Sequence, residues 1–279
     1  MARRLVQAGY ALHVHDSSAR AIQVFAAGSA ATACASAADA ARGAEVFIAM
    51  LPDGKVVREV LFGAGRAVDA LERGAIVLDM SSSDPVGTRE LGASLAAKGV
   101  DLIDAPVSGG VKKAIEGTLS IMAGGDAATI ERVRSVLEKM GGRIFLTGPL
   151  GSGHAMKALN NYVSAAGLAA TVEALVVGER FGLDPAAMTE ILNASTGRNN
   201  TTEVKVKQFM LSGAYNSGFS MGLMAKDLAT AAALAEAVGV EAPFARRCAE
   251  LWRQAAEDLG AAADHTEMYR YGAESGTKS

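Results

Sequence analysis

The sequence predicts a two-domain protein, in which a domain built on a doubly wound parallel α/β sheet is followed by an all-helical domain. Short apolar runs alternate with helix-length segments in the first half, whereas the second half has helical periodicity only. The 279 residues, half of them hydrophobic, are enough for two cores. We therefore predict a first domain over residues 1–149 and a second over residues 150–279.

Six short runs in the first half, rich in apolar and β-branched residues, are typical of strands. Segments long enough for a helix lie between the first four, and this alternation favours parallel strands joined by helical crossovers. Two strands end in polar and glycine residues, DMSSS at 79–83 and DAPVSGG at 104–110, at the sheet edge where such folds bind ligands. The first domain is therefore a candidate nucleotide-binding domain. The predicted strands are 11–15, 45–50, 75–79, 100–104, 119–123 and 143–146.

The second half begins with a long helical run over residues 153–181, which Gly182 ends. Asp184 and Pro185 then have the residue types of a helix cap and a first helical position. No repeat or low-complexity linker separates the halves, so the long helix itself is the predicted connection. Further helices are predicted over 221–238, 243–259 and 264–271.

Composition excludes several classes of function. The net charge is −3 and no block of like charges occurs, so the chain lacks the footprint of a nucleic-acid or anionic-membrane binder. Long uncharged stretches such as 24–38 are too weakly apolar to span a bilayer, and no secretory signal is visible. Cys34 and Cys248 fit no zinc or redox spacing, which indicates a reducing, cytoplasmic compartment. The histidines show no metal-ligand clustering, so no metal site is predicted; they are His13, His15, His154 and His265.

The stretch GPLGSGHAMKALNN at 148–161 contains a cluster of polar groups inside an otherwise apolar helix. Lys157, Asn160 and Asn161 follow a run of glycines, and positions three and four apart share one helix face. The ammonium group and the amides therefore project together. Such a cluster beside a glycine-rich helix start is more typical of a site than of a solvated surface.

Three segments in sequence order resemble the signature motifs of the β-hydroxyacid dehydrogenase family, typified by 3-hydroxyisobutyrate dehydrogenase and tartronate semialdehyde reductase. They are DAPVSGG at 104–110, GPLGSGHAMKALNN at 148–161 and FSMGLMAKDL at 219–228. The resemblance covers essentially the whole chain. It implies a Rossmann-type first domain and hydride transfer between NAD and the hydroxyl-bearing carbon of a small 3-hydroxyacid. It also implies a homodimer or homotetramer that pairs through its helical domains.

The resemblance assigns the central chemistry to two residues of the long helix. Lys157 matches the lysine that is the general acid in carbonyl reduction and the base in alcohol oxidation, and Asn161 matches the asparagine that orients the substrate. A lysine with an ordinary pKa of about 10.4 must lose proton affinity to act near neutral pH. Nearby cations and partial burial both lower the pKa of a lysine.

Two further motifs are implied to contact substrate or cofactor. The hydroxyl of Ser108 and the amides of Gly109 and Gly110 match a turn that binds the substrate carboxylate, although an ordinary tight turn fits these residue types as well. Lys226 resembles a lysine that reaches the cofactor or the substrate, with a plain surface residue as the alternative. Asp227 beside it is interpreted as a structural ion-pair or capping residue.

Cofactor preference is indicated by the loop after the first predicted strand. An acidic side chain at Asp16 can accept hydrogen bonds from both ribose hydroxyls and would repel a 2′-phosphate. Family members that prefer NADP often carry arginine at the position of Ser17, so NAD is favoured over NADP. Leu51, Pro52 and Ser83 resemble further cofactor contacts, although a strand-ending turn explains Leu51 and Pro52 as well.

The start of the chain departs from the family pattern. Members begin with a strand and the loop G-x-G-x-M-G-x-x-M-A, of which Met1 and Ala2 match only the last two letters. We therefore expect the first strand and phosphate loop to be missing, with a gap or substitute strand beside residues 11–15. A natural start roughly 15 residues upstream is expected from the length of a first βα unit. Because the phosphate loop is missing, the alternative to an active dehydrogenase is a catalytically silent binding or scaffold protein.

The stretch TGRNNTTE at 196–203 leaves two interpretations open. Its polar side chains either read substrate hydroxyls near the reaction site or cap helices; they are Arg198, Asn199, Asn200 and Thr201. The identity of the 3-hydroxyacid is not determined by these residues.

Overall fold

The computed structural model describes residues 1–275, and the chain divides into two compact units, Met1–Lys157 and Ala158–Ser279. The first unit combines strands and helices and the second is built from helices, which confirms the predicted fold class. The strands of the first unit are β1 (His13–Val14), β2 (Thr32–Ala33), β3 (Val46–Ala49), β4 (Ile76–Asp79), β5 (Asp101–Asp104), β6 (Val107–Ser108), β7 (Leu119–Gly124) and β8 (Gly141–Gly148). Its helices are α1 (Ala2–Gln7), α2 (Ala19–Ala27), α3 (Ala37–Ala41), α4 (Gly54–Phe62), α5 (Pro85–Ala96), α6 (Gly110–Glu116) and α7 (Ala127–Glu138), with a 3₁₀ turn at Ala67–Ala70.

The strands form two separate sheets. β1 and β2 make a two-stranded parallel sheet, and the other six form a sheet of order β3-β4-β5-β7-β6 in which β8 pairs with β7. β7 runs antiparallel to both β5 and β6, so the sheet is mixed rather than wholly parallel. Within residues 1–275, β1 makes no ladder with β3. The sequence prediction missed β2 and β6, each of only two residues.

The six-stranded sheet has a core on each face. In β4 every residue is buried, as expected for a central parallel strand with helices on both sides. Ile76 and Leu78 face one core, whereas Val77 faces the other, because successive side chains alternate along a strand. Helix α7 packs on the first core, and α4 and α5 pack on the second. This arrangement is the doubly wound architecture that the sequence predicts.

Parallel pairing aligns the carboxyl ends of three strands. The register pairs Ala49 of β3 with Asp79 of β4, and Asp79 with Asp104 of β5. Two acidic residues therefore lie side by side at the edge of the sheet where doubly wound folds bind ligands.

The helical unit is built around the long helix α8 (Ser152–Phe181), which begins within the first unit. One side of α8 is buried in the core of the helical unit, through Ala165, Leu168, Val172 and Leu175. By length and composition α8 is also apolar enough to cross a membrane, a property that the core helices of globular proteins share. The other elements are α9 (Pro185–Ala194), a π-helix at Thr201–Met210, α10 (Met221–Ala237), α11 (Pro243–Leu259), a 3₁₀ turn at His265–Glu267 and α12 (Met268–Ser275).

The last predicted helix, 264–271, is replaced by a capped turn followed by a helix. Asp264 accepts hydrogen bonds from the backbone N–H and the hydroxyl of Thr266, and Glu267 accepts one from the backbone N–H of Asp264. These bonds form a capping box, which stabilises the turn in 3₁₀ geometry before α12 begins.

Candidate functional site

The turn that follows β4 is polar and buried. The carboxylate of Asp79 accepts hydrogen bonds from the backbone N–H of Ser81 and from the hydroxyl of Ser83, both at 2.9 Å. The hydroxyl of Ser81 in turn accepts a bond from the backbone N–H of Leu51 at 3.0 Å. Two of the predicted cofactor-contact residues, Leu51 and Ser83, are thus joined in one network, while Pro52 is exposed beside Leu51.

The start of α8 is held by an acid from a distant part of the chain. Asp104, at 0% exposure, accepts hydrogen bonds from the backbone N–H groups of Gly151 and His154, each at 2.7 Å. It satisfies donors that a local capping side chain would otherwise satisfy. Burial raises the pKa of Asp104, while the His154 ring and the backbone N–H groups act in the opposite direction.

Glycines allow α8 to approach the sheet. A Cβ at Gly153 would collide with the carbonyl oxygens of Met122 and Asp104, and one at Gly124 would lie 2.7 Å from Oγ of Ser152. Gly151 has a φ of +88°, which favours glycine. The glycine run before Lys157 therefore fixes where α8 starts. It thereby also fixes the distance of Lys157 from the carboxyl ends of the strands.

His154 lies between the two buried carboxylates. Its Nε2 is 3.8 Å from Oδ2 of Asp79 and its Nδ1 is 3.8 Å from Oδ2 of Asp104. Nδ1 is also 2.8 Å from Oγ1 of Thr88, which is itself buried. Sequence reasoning missed this cluster, and its only signal was that two neighbouring predicted strands each end in aspartate.

The predicted carboxylate-binding residues form a turn at the end of β6. Ser108 pairs with Ser120 of β7, and Gly109 and Gly110 follow with φ values of +131° and +68°. Both glycines are exposed, and a Cβ at Gly110 would meet nothing within 4 Å. The backbone at this turn is therefore accessible to a ligand.

Lys157 and Asn161 lie one turn apart on α8. Lys157 is half-buried, and Asn161 is 7% exposed. The Asn161 amide donates to Oδ2 of Asp227 at 2.6 Å and accepts a bond from the Asn160 amide at 3.1 Å. One hydrogen of the Asn161 amide and part of its oxygen's capacity are left for another partner.

Lys226 and Asp227 lie next to each other on α10, in the helical unit. The Lys226 ammonium is 3.0 Å from Oδ1 of Asp227, which confirms the ion pair that the sequence suggested for Asp227. The bond from Asp227 to Asn161 was not predicted, because it joins residues 66 positions apart. Asp227 thus connects two of the predicted site residues, Asn161 and Lys226.

Asp16 follows β1 and is exposed. Its Oδ1 accepts a hydrogen bond from the backbone N–H of Ser18 at 2.8 Å, and Ser18 caps α2. The second carboxylate oxygen of Asp16 makes no hydrogen bond within residues 1–275. Asp16 is therefore an oriented acid at the carboxyl end of its strand.

The structure gives contacts for two of the polar residues in 196–203. Asn199 accepts hydrogen bonds from the backbone N–H groups of Thr201 and Thr202, at 2.8 and 3.3 Å, and its amide donates to Thr171. Asn199 is therefore a capping residue at the start of the π-helix. Arg198 is largely exposed and forms an ion pair with Glu203 at 3.7 Å.

Two family models match consecutive parts of the chain. The model for the NAD-binding domain of 6-phosphogluconate dehydrogenase matches residues 1–148. The model described as the NAD-binding domain of NADP-dependent 3-hydroxyisobutyrate dehydrogenase matches residues 151–272. Together they cover nearly the whole chain.

Several characterised proteins are similar along most of their length. The 3-hydroxyisobutyrate dehydrogenase of Pseudomonas aeruginosa is 38% identical over 88% of this chain and 84% of its own. The 2-hydroxy-3-oxopropionate reductase of Escherichia coli is 34% identical over 96% of this chain and 91% of its own. The solved structure of Mycobacterium tuberculosis 3-hydroxyisobutyrate dehydrogenase with L-serine has a TM-score of 0.88 at 33% identity, covering 96% of this chain and 92% of that one.

Proposed function

The chain belongs to the β-hydroxyacid dehydrogenase family, and from that premise we propose that it oxidises a small 3-hydroxyacid, similar to 3-hydroxyisobutyrate, with Lys157 as general acid and base. An NAD(P)-linked hydroxyacid oxidoreductase is what the family membership establishes. The proposal adds NAD as the preferred cofactor, the class of substrate and the roles of individual residues.

One observation carries the assignment of Lys157. The first turn of α8 is locked against the ends of β5 and β7 by Asp104 and Gly153, and Lys157 follows on the next turn. A general base must be held within hydrogen-bonding reach of the proton it takes. The lysine is thus presented by a fixed element beside the sheet edge that carries the cofactor-contact turns.

The proton and hydride movements follow from these positions. When bound, NAD⁺ would supply the hydride acceptor that oxidation of the alcohol requires. The neutral amine of Lys157 takes the hydroxyl proton as the C–H bond breaks and the carbonyl forms. In reduction the Lys157 ammonium returns that proton to the carbonyl oxygen, so the same group acts in both directions.

Five further predicted site residues are assigned to the substrate in this proposal. The hydroxyl of Ser108 and the amides of Gly109 and Gly110 bind the carboxylate, since exposed backbone N–H groups at a glycine turn suit an anion. The remaining amide hydrogen of Asn161 orients the hydroxyl-bearing carbon. Lys226, anchored by Asp227, supplies positive charge for the substrate or the cofactor.

The residues present fit the sugar and the reactive half of a dinucleotide. Asp16 would hold the ribose hydroxyls through its second oxygen, and its charge disfavours the 2′-phosphate of NADP. Leu51, Pro52 and Ser83 stand at the ends of β3 and β4, and a Cβ at Gly54 would lie 3.0 Å from that of Ser83, so backbone is close to the site. Among these residues, the charge of Asp16 is the feature that supports NAD over NADP.

Domain roles and assembly are part of the proposal. Residues 1–149 bind the dinucleotide, and residues 150–279 bind substrate and form a homodimer or homotetramer. Support for assembly comes from exposed apolar side chains of the helical unit, among them Val177, Phe181 and Phe244 at 61–85% exposure. The free thiols Cys34 and Cys248 are in keeping with a cytoplasmic protein. A catalytically silent scaffold is not favoured, because the similar proteins are named as enzymes.

Cofactor titration and a substrate panel test the proposal. NADH and NADPH are titrated against the protein while nicotinamide fluorescence is followed, and tighter binding of NADH is expected. The panel contains 3-hydroxyisobutyrate, L-serine, glycerate and threonate, each with NAD⁺. Absence of both NADH binding and turnover would refute the enzyme, and preference for NADPH would refute the role of Asp16 alone.

A further inference from the structure

We propose that His154 is a positioning residue for Lys157, because its ring and its backbone join the first turn of α8 to the carboxyl ends of β4 and β5. This inference rests on the proposed role of Lys157 as general acid and base. In this role His154 holds the helix that carries the lysine and does not itself touch the substrate.

The His154 ring lies next to two buried carboxylates, whose mutual repulsion is unfavourable unless donors are close to them. Asp79 and Asp104 are paired across neighbouring strands and are 1% and 0% exposed. Two buried carboxylates side by side repel each other unless donors face them. Asp104 has two backbone donors and Asp79 has a backbone N–H and a hydroxyl, and the His154 ring lies 3.8 Å from both acids.

The hydrogen-bond network assigns a proton to Nδ1 of His154. The hydroxyl of Thr88 donates to the carbonyl oxygen of Asp84 at 2.8 Å, so its oxygen is free to accept from Nδ1–H at 2.8 Å. Nε2 makes no hydrogen bond within residues 1–275 and faces Oδ2 of Asp79. The ring is therefore held through Nδ1, and Nε2 lies next to that carboxylate without a hydrogen bond.

Residue 154 is therefore fixed twice. Its backbone N–H donates to Asp104, and its ring is hydrogen-bonded to Thr88 and lies 3.8 Å from Asp79. Lys157 is three positions later, which places both side chains on the same face of α8. A change in the rotation of the first turn is consequently passed to the lysine.

The same ring also contacts the cofactor side. Asp79, which faces Nε2, accepts hydrogen bonds from the hydroxyl of Ser83 and the backbone N–H of Ser81, and the Ser81 hydroxyl accepts one from the backbone N–H of Leu51. His154 thus lies between the predicted cofactor turn after β4 and the helix of Lys157. A positioning role predicts loss of turnover with little change in cofactor affinity.

Two substitutions separate this role from simple stabilisation. His154→Leu removes the ring nitrogens, and turnover is expected to fall by about 10²-fold, the cost of a small misplacement of a reacting group. His154→Gln keeps a donor near the position of Nε2 and is expected to recover part of the loss. The KM for NAD⁺ and the Kd for NADH should stay within a few-fold of wild type in both variants.

A control variant disturbs the core elsewhere in the same unit. Leu95 of α5 is fully buried and lies outside the polar cluster, so Leu95→Ala should lower the Tm without lowering turnover per folded molecule. Turnover is measured with whichever of 3-hydroxyisobutyrate, L-serine or glycerate the wild type oxidises with NAD⁺.

A second measurement needs no substrate. Trace labelling with acetic anhydride and mass spectrometry reports the reactivity of the Lys157 amine, with the exposed Lys139 as internal reference. His154→Leu should change the Lys157 labelling rate several-fold and leave Lys139 unchanged. Lys157→Ala is assayed alongside, and turnover near wild type in that variant overturns the proposed function. An inactive Lys157→Ala together with native turnover and native labelling in His154→Leu overturns only the positioning inference.

Discussion

The two units hold their polar site residues in different ways. In the first unit the acids are bound mainly by backbone: Asp104 by the N–H groups of Gly151 and His154, and Asp79 in part by that of Ser81. In the helical unit the bonds join side chains, since Asn161 is held by Asp227. Backbone donors at strand ends and helix starts are placed by secondary structure, whereas side-chain pairs depend on which helices pack together.

The acids of the first unit are therefore positioned by secondary structure, whereas each polar side chain of the helical unit depends on one partner side chain. Removing a side chain that acts on bound substrate should affect the reaction most. Altering the buried ionisable groups should change stability with a sign that differs between the units. Weakening a side-chain pair in the helical unit should have a smaller, graded effect.

The largest effect is expected from Lys157→Ala. A positioned acid or base contributes about 10²–10⁴-fold to turnover, and this loss is expected in steady-state assays in both directions. The Kd for NADH should stay within a few-fold, because the substitution removes a group proposed to act on the substrate. Lys139→Ala, at an exposed lysine of the same unit, should leave turnover unchanged. Turnover within a few-fold of wild type in Lys157→Ala would remove the lysine from the reaction.

Acid stability should distinguish the two units. Burial lowers the pKa of His265 from 6.5 to about 4, with Lys205 acting in the same direction and Asp264 against it. Between pH 6.5 and 4 the folded state keeps His265 neutral while the unfolded state binds a proton. The contribution of His265 to the free energy of unfolding is therefore complete above pH 6.5 and is lost as the pH falls towards 4. The difference between these pKa values corresponds to about 3 kcal/mol.

Asp104 acts with the opposite sign in the first unit. Burial raises its pKa, so the folded state binds a proton more readily than the unfolded state and acidification favours folding at this residue. Urea unfolding at several pH values between 7 and 4 checks the contrast, with the fluorescence of Trp252, which stacks on His265, reporting on the helical unit. His265→Gln should reduce the loss of unfolding free energy between pH 7 and 4, and His13→Gln, at an exposed histidine, should not. An equal loss of unfolding free energy in both variants would contradict the assignment to His265.

Asp227→Asn tests the side-chain pair in the helical unit. The amide keeps an acceptor for Asn161 but loses the charge that binds Lys226, so kcat/KM is expected to fall by about tenfold, or 1.4 kcal/mol. Asn161→Ala should raise KM and lower kcat together, because a contact made in both ground and transition states is lost. Glu236→Gln on the same helix is the control, since Glu236 is exposed. An unchanged KM in Asn161→Ala would argue against substrate contact.

Local sequence patterns predicted most of the helices and strands. The central strands have continuous apolar runs, and α8 and α11 carry clear start and stop residues, so β4 and α11 agree with their predicted ranges to within one residue. The antiparallel direction of β7 was not predicted, because pairing direction depends on how the chain crosses the sheet. β2 and β6 are too short to show a pattern.

The site was predictable only where its chemistry is local in sequence. The glycines, Lys157 and Asn161 stand within one motif of residues 148–161. His154 meets Thr88 across 66 positions and Asn161 meets Asp227 across the same distance, and no sequence pattern marks such pairs. Neither partner type nor spacing could therefore reveal them before the fold was known.

The smallest effect is expected from the two thiols, which lie in regions of unequal burial. Cys248 is 3% exposed in the helical core, and burial raises the pKa of its thiol to about 11. At pH 8 only about one Cys248 in a thousand is then a thiolate, the reactive form. Cys34, next to β2 in the two-stranded sheet, is partly exposed. One equivalent of aromatic disulfide reagent should therefore react in the native protein and two in urea, with Cys34→Ser abolishing the native reaction without changing turnover. Reaction of Cys248 in the native Cys34→Ser variant would show that the helical unit opens locally. The predicted difference in thiol reactivity between the two regions would then be wrong.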